Sequence, residues 1–112
     1  MSIVTEEQIA EPGTITGGTN LPTSGSNLFA NDLICSKTLG KMMYSFTASV
    51  AGILTVTYTK NGVVTFCVQF GGATIQPNVE MPGNLLVSQG ETVNFIYTYS
   101  GSGTCRMIVR EV

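Results

Sequence analysis

Hydrophobic and polar residues alternate along most of the chain after residue 28, with the period of two that half-buried β-strands show. Gly, Pro and Asn interrupt the alternation about every eight to twelve residues, which is the spacing of a sandwich or barrel. The pattern predicts strands near 32–39, 42–50, 52–60, 63–70, 73–76, 84–88, 92–100 and 104–111. We therefore predict an all-β fold, an antiparallel β-sandwich or jelly roll of about seven to eight strands with an extended N-terminal arm.

The strands with the clearest alternation also predict the core, because successive side chains of a strand point to opposite faces of its sheet. The predicted inward residues are Tyr44, Phe46, Ala48 and Val50, then Val93, Phe95, Tyr97 and Tyr99, and finally Cys105, Met107 and Val109. Pro77 and Pro82 bound a stretch that we do not expect in a central strand, because proline cannot donate a ladder hydrogen bond.

The segment TYTKNGVVTF, residues 57–66, carries the strongest hairpin signal, an Asn-Gly pair between two strand-like runs. A two-residue loop at 61–62 would leave each face half polar, whereas a three-residue loop at 60–62 sorts the residues by polarity. With the longer loop one face carries Leu54, Val56, Tyr58, Val64, Phe66 and Val68, and the other carries Thr55, Thr57, Thr59, Thr65, Cys67 and Gln69. Burying each apolar side chain stabilises the fold by roughly 1.5 to 3 kcal/mol, more than turn types differ, so we predict the three-residue loop.

The predicted threonine face has no charge at its centre. Threonine favours strands, so this face can be an ordinary solvent-facing surface. It can equally be a contact with another chain, because interface centres are depleted of Lys, Glu and Asp. A third reading, a threonine array that orders water as on ice-binding proteins, needs more strands than one hairpin offers.

The first 27 residues differ in composition from the rest, and residues 12–27 read PGTITGGTNLPTSGSN, which is typical of an arm or linker. We expect an extended Gly/Thr/Pro-rich N-terminal arm at 1–27 and a β-sandwich domain at 28–112. A disordered tail is the alternative for the arm. The candidate assembly contacts are the arm's apolar residues and the threonine row, namely Ile3, Val4, Ile9, Ile15, Leu21, Thr55, Thr57, Thr59 and Thr65.

Charge is scarce. The chain has 112 residues, enough for one domain, and 11% of them are charged, against about 25% in typical soluble domains. After the acidic start, the chain has four acidic and five basic residues and is therefore almost neutral. Since nucleic-acid binding needs a basic surface, we expect no nucleic-acid partner. The N-terminus lacks the pattern of a signal peptide and no apolar run is long enough to cross a membrane, so we expect a protein that is made and kept in the cytosol, or released by lysis, and that has no membrane partner.

Catalytic chemistry is not indicated. The chain has no His, its acids after residue 28 are scattered singly, and its glycine pairs match no phosphate-binding pattern. Cys35, Cys67 and Cys105 lie far apart, without a metal-ligand spacing. We predict three small buried thiols, a Cys35–Cys105 bridge remaining open, with no catalytic, cofactor-binding or metal-binding residues. The chain is therefore predicted not to be an enzyme.

The C-terminal segment LLVSQGETVNFIYTYSGSGTCRMIVREV resembles the closing hairpin of small β-sandwich virion proteins of double-stranded DNA phages. The segment SFTASVAGILTVTYTKNG, with its Ala-Gly corner, fits the same style, and the resemblance covers residues 28–112. It implies a capsid decoration, cement or minor virion protein that forms homo-oligomers, commonly trimers. It also implies localisation in the virion, and an arm that contacts the major capsid protein or a neighbouring subunit.

Two other classes share parts of the pattern. One is a trimeric jelly roll of the tumour-necrosis-factor or complement type, whose later strands LLVSQGETVNF could match. The other is a ligand- or carbohydrate-binding β-domain, which typically exposes aromatic rings to stack on sugars. The chain has no Trp, and its four Tyr fall mostly on predicted inward positions, which weighs against carbohydrate binding.

Overall fold

The structure, a computed structural model, describes residues 10–36, 41–60 and 63–111. Its strands are β1 (Ala10–Asn20), β2 (Leu33–Ile34), β3 (Lys41–Ala48), β4 (Gly52–Lys60), β5 (Val63–Val68), β6 (Met81–Leu86), β7 (Thr92–Tyr99) and β8 (Thr104–Glu111). These residues contain one 3-10 turn, Gln69–Gly72, and no α-helix.

The strands form two four-stranded antiparallel sheets. The first, which we call the β1 sheet, has the order β1-β8-β3-β6, and the second, the β5 sheet, has the order β2-β7-β4-β5. Tyr44 of β3 and Phe95 of β7 meet edge to face between the sheets, with ring centroids 5.2 Å apart. The predicted all-β antiparallel sandwich is confirmed.

The core follows the predicted alternation in the central strands. Tyr44, Phe46 and Ala48 of β3, Val93, Phe95 and Tyr97 of β7, and Cys105, Met107 and Val109 of β8 are all buried. Val50 and Tyr99, the last members of two predicted sets, are half-buried at the margin. The Tyr97 hydroxyl donates to the Val50 carbonyl over 2.6 Å, so this buried polar atom is paired.

The N-terminal segment differs from the expected arm. Residues 10–20 form β1, which pairs with β8 along the edge of the β1 sheet, so the sandwich begins before residue 28. The register shifts twice along this pairing, and such bulges break the alternation that would have revealed a strand. Ile15 is in the core and Leu21 packs against it. Ile3, Val4 and Ile9 lie outside the described residues.

Two strand boundaries also differ from the prediction. The predicted strand at 73–76 is reduced to an isolated bridge between Ile75 and Gly52. The predicted strand at 84–88 begins earlier, at Met81, and contains Pro82. This is possible because β6 is an edge strand, where a proline need not donate to a neighbour.

The predicted three-residue hairpin loop is wrong. Lys60 pairs with Val63, Thr57 with Phe66 and Thr55 with Val68, which is the register of a two-residue loop. The prediction assumed that inward residues of both strands would be buried. β5 is an edge strand, however, and Val63, which shares a face with Cys67, is 63% exposed. Little burial energy is available there, so the preference of Asn-Gly for a two-residue loop prevails.

Candidate assembly interface

The outer side of the β5 sheet has no charge on any described strand residue. We call this surface the neutral face, and its members are Ile34, Ile53, Thr55, Thr57, Thr59, Val64, Phe66, Val68, Thr92, Asn94, Ile96 and Thr98. The bases Lys41, Arg106 and Arg110 belong to the other sheet. Charge is therefore distributed unequally between the two outer surfaces.

Three exposed apolar residues of β5 form one margin of the neutral face. Val64 is 56% exposed, Phe66 70% and Val68 49%. Val63, on the inward side of the same strand, is also exposed, so β5 provides four of the eight large hydrophobic residues that are exposed in the described chain. Scattered exposed hydrophobic residues are ordinary, whereas a cluster of them on one short strand is a feature that interaction surfaces share.

A row of half-buried threonines on β4 lies beside this apolar margin. Thr55, Thr57 and Thr59 stand directly opposite Val68, Phe66 and Val64.

The threonine row itself is close-packed at its centre. The Thr57 hydroxyl oxygen is buried and has no hydrogen-bond partner among the described residues. Thr65, which we predicted to share this row, points to the inward side of the sheet instead, because the two-residue loop shifts β5 by one residue.

The chain beyond β5 fixes the position of the strand. Gln69 is buried, and its side chain accepts a hydrogen bond from the Tyr44 hydroxyl over 2.5 Å. Its amide nitrogen donates to the Cys67 carbonyl over 3.0 Å. Phe70 then packs edge to face on the Tyr44 ring. Burial, followed by the nearby Cys67, raises the pKa of Tyr44, so this tyrosine stays protonated and keeps its bond to Gln69.

The opposite surface, the outer side of the β1 sheet, contains a groove of about 430 Å³. Met43 and Ile108 line its apolar part, and Arg106 and Arg110 border it. Arg106 forms a salt bridge with Glu80, whereas Arg110 has no ion-pair partner among the described residues.

Among the described residues, Glu80 is the only carboxylate that lines this groove, and its side chain accepts hydrogen bonds from two donors. The Ser45 hydroxyl and the Arg106 guanidinium both donate to it. These two hydrogen bonds lower the pKa of Glu80, and the bond from Ser45 has the larger effect. The carboxylate is therefore ionised near neutral pH and unsuited to donate a proton.

None of the three cysteines is in a disulfide, and their environments differ. Cys35 and Cys105 are buried as predicted, but Cys67 is exposed, so the prediction of three buried thiols is wrong at this position. Burial raises the pKa of the Cys105 thiol, which makes it less reactive. Within the described ranges, no group of three His, Cys, Asp or Glu side chains could hold a metal ion.

The structure separates the predicted assembly contacts into four groups, one of which is Thr65 alone, on the inward side of its sheet. Ile15 and Leu21 pack on the chain's own core and are not available to a neighbour, while Ile3, Val4 and Ile9 lie beyond the part of the chain that the structure describes. Thr55, Thr57 and Thr59 lie on the neutral face. Sequence reasoning missed Val64, Phe66 and Val68, although a two-residue reading of Asn61-Gly62 would have placed them there.

No family model, curated protein or solved structure matches this chain. Among the described residues, no helix is long and apolar enough to cross a membrane.

Proposed function

We propose that this chain is a non-enzymatic structural protein that assembles with copies of itself and with other proteins through the neutral face. The sequence resemblance suggests the setting, a virion in which the chain acts as a decoration, cement or minor capsid protein next to the major capsid protein. The observation that carries the proposal is the neutral face itself, a sheet surface without charge and with an exposed apolar margin.

Solubility supports this reading. Surfaces that face water permanently are usually kept soluble by interspersed charges of both signs. The outer side of the β1 sheet has such charges, including the Arg106–Glu80 pair, whereas the neutral face has none. A surface that is covered in the working assembly needs no such protection, and its lack of Lys, Glu and Asp matches the centre of a protein interface.

The test is a carboxylate placed at the centre of each outer surface. Thr57→Glu charges the neutral face, and Thr47→Glu is the matched control, because Thr47 is also a half-buried strand threonine with an unpartnered hydroxyl, on the β1 sheet. We expect Thr57→Glu to weaken oligomers in light scattering after size exclusion, and Thr47→Glu to leave them unchanged.

Co-sedimentation with capsid shells, built from a major capsid protein encoded alongside this chain, tests the virion setting. We expect the wild type to pellet with the shells and Thr57→Glu to stay in the supernatant. A wild type that is monomeric at high concentration and does not bind the shells would refute the proposal.

The groove on the β1 sheet favours a second candidate function, binding of a small anion that has an apolar tail. Met43 and Ile108 offer apolar contact, and Arg110 offers an exposed guanidinium. Titration with octanoate, followed by NMR shifts of β8 amides in wild type and Arg110→Ala, tests it. Carbohydrate binding is less well supported, because Tyr44 and Tyr97 are buried, and a glycan array checks it directly.

A further inference from the structure

The four edge strands of the sandwich are protected to different degrees. A free strand edge can pair with another chain, and proteins block this with bulges, proline, charge or short length. β1 has two register shifts, β6 contains Pro82, and β2 has only two residues. β5 has six residues in unbroken register with β4, and it contains neither proline nor a charged residue. The edge of β5 is thus the one among these four that lacks protection.

The backbone of β5 presents a definite set of hydrogen-bonding groups at this edge. In a two-residue hairpin the closing pair, here Lys60 and Val63, exchanges hydrogen bonds, and bonded and non-bonded pairs then alternate. The N–H and C=O groups of Val64, Phe66 and Val68 therefore point away from β4. They are the groups that an added strand would bind.

We propose that this edge pairs with β5 of a second copy of the chain, antiparallel and across a two-fold axis that passes beside Phe66. This inference rests on the proposed function and names the partner and register of its self-association. In this register Phe66 faces Phe66 of the other copy and Val64 faces Val68, so all three residues with outward backbone groups are used. An aromatic pair flanked by β-branched residues is a favourable set of cross-strand neighbours.

The chemistry of the strand favours a second copy as the occupant. Because β5 is uncharged, two copies meet without like-charge repulsion, and every outward-facing apolar residue gains an apolar neighbour. A two-fold contact also consumes the β5 edges of both copies, so the assembly closes instead of growing into a fibre. The result is a continuous eight-stranded sheet in which the two neutral faces become one surface.

The contact is small compared with a standard interface of roughly 800 Å² per partner, so we expect association that depends on concentration. Sedimentation equilibrium from about 1 μM to about 1 mM should show wild-type mass rising from 11.8 kDa towards twice that value. Phe66→Lys should remain monomeric throughout. Leu86→Lys is the matched control, because Leu86 is an edge-strand residue that is 71% exposed, against 70% for Phe66, and it should dimerise like wild type.

A cross-linking experiment tests the register. In the proposed pairing, Thr65 of one copy faces Cys67 of the other as a non-hydrogen-bonded pair, with Cα atoms about 4.5 Å apart. That separation allows a disulfide. Mild oxidation of T65C should therefore give a covalent dimer, and the double variant T65C/C67S should give none. Equal cross-linking of both variants would place Thr65 opposite itself and overturn the register.

The outcomes separate this inference from the proposed function. If the wild type is monomeric at every concentration, or if Phe66→Lys dimerises as well as Leu86→Lys, the β5 contact is refuted. If oligomers survive Phe66→Lys but are lost in Thr57→Glu, the β5 contact is again refuted, while assembly through the neutral face stands.

Discussion

Phe66 and Phe95 offer a direct energetic test of the hairpin register, because the same truncation is made at an exposed and at a buried site. Phe95 is 0% exposed, and replacing a buried Phe by Ala costs about 3 to 5 kcal/mol. Phe66 is 70% exposed, so about three-tenths of its side chain leaves water on folding. Since full burial of Phe contributes about 1.5 to 3 kcal/mol, Phe66→Ala should cost roughly 0.5 to 1 kcal/mol.

The assay is urea unfolding followed by circular dichroism, at a protein concentration low enough to keep self-association from adding stability. An unchanged denaturant slope for Phe66→Ala would show that only stability has changed. A three-residue loop would place Phe66 in the core opposite Val56, and Phe66→Ala would then cost as much as Phe95→Ala. A loss of 3 kcal/mol or more at Phe66 would therefore contradict the two-residue register.

Three further predictions concern single groups. Thr57→Val removes a buried hydroxyl that has no partner among the described residues and keeps the shape of the side chain, so the monomer should gain up to about 1 kcal/mol in urea unfolding; a loss would mean that the hydroxyl is paired. Burial raises the pKa of Tyr97 to about 12, so the unfolded chain ionises first as the pH rises. The stability from this group is complete below about pH 10 and disappears by about pH 12; Tyr97→Phe should flatten that decline, and an equally steep decline in the variant would exclude Tyr97 as its cause. Cys67 should be the one thiol of three that iodoacetamide modifies quickly in the native monomer, as peptide mass mapping can check, and fast modification of Cys35 or Cys105 would contradict their burial.

Alternation predicted the central strands well because β3, β7 and β8 each have one face on the core. In those strands the period of two is enforced by burial, and Phe46, Tyr97 and Met107 are inward as the pattern indicates. Two of the edge strands were predicted less well for the opposite reason, β1 being missed and β6 being placed too late in the chain. β1 is rich in Gly and Thr and interrupted by bulges, and β6 tolerates Pro82, because neither strand needs a partner on its outer side.

The lack of charge on the candidate interface could be predicted from the sequence, but the full set of residues that form it could not. The scarcity of charge around Thr55 and Thr57 indicated an uncharged sheet surface, and the structure has one. The apolar part of that surface, including Phe66, was assigned to the core because a hydrophobic strand is normally buried. Sequence alone does not reveal that β5 is an edge, since that property depends on which strands the rest of the chain places beside it.

The position of β8 has a consequence for the order in which the protein can be made. β8 lies between β1 and β3, so until residues 104–111 have left the ribosome β1 has no sheet neighbour and β3 has only β6. At roughly 5 to 20 residues per second, the hairpin of β4 and β5 is available several seconds earlier than β8. During that interval the exposed β5 edge can meet another nascent chain before the sandwich is complete. The strand we expect to join two folded copies is thus also a place where unfinished copies can pair.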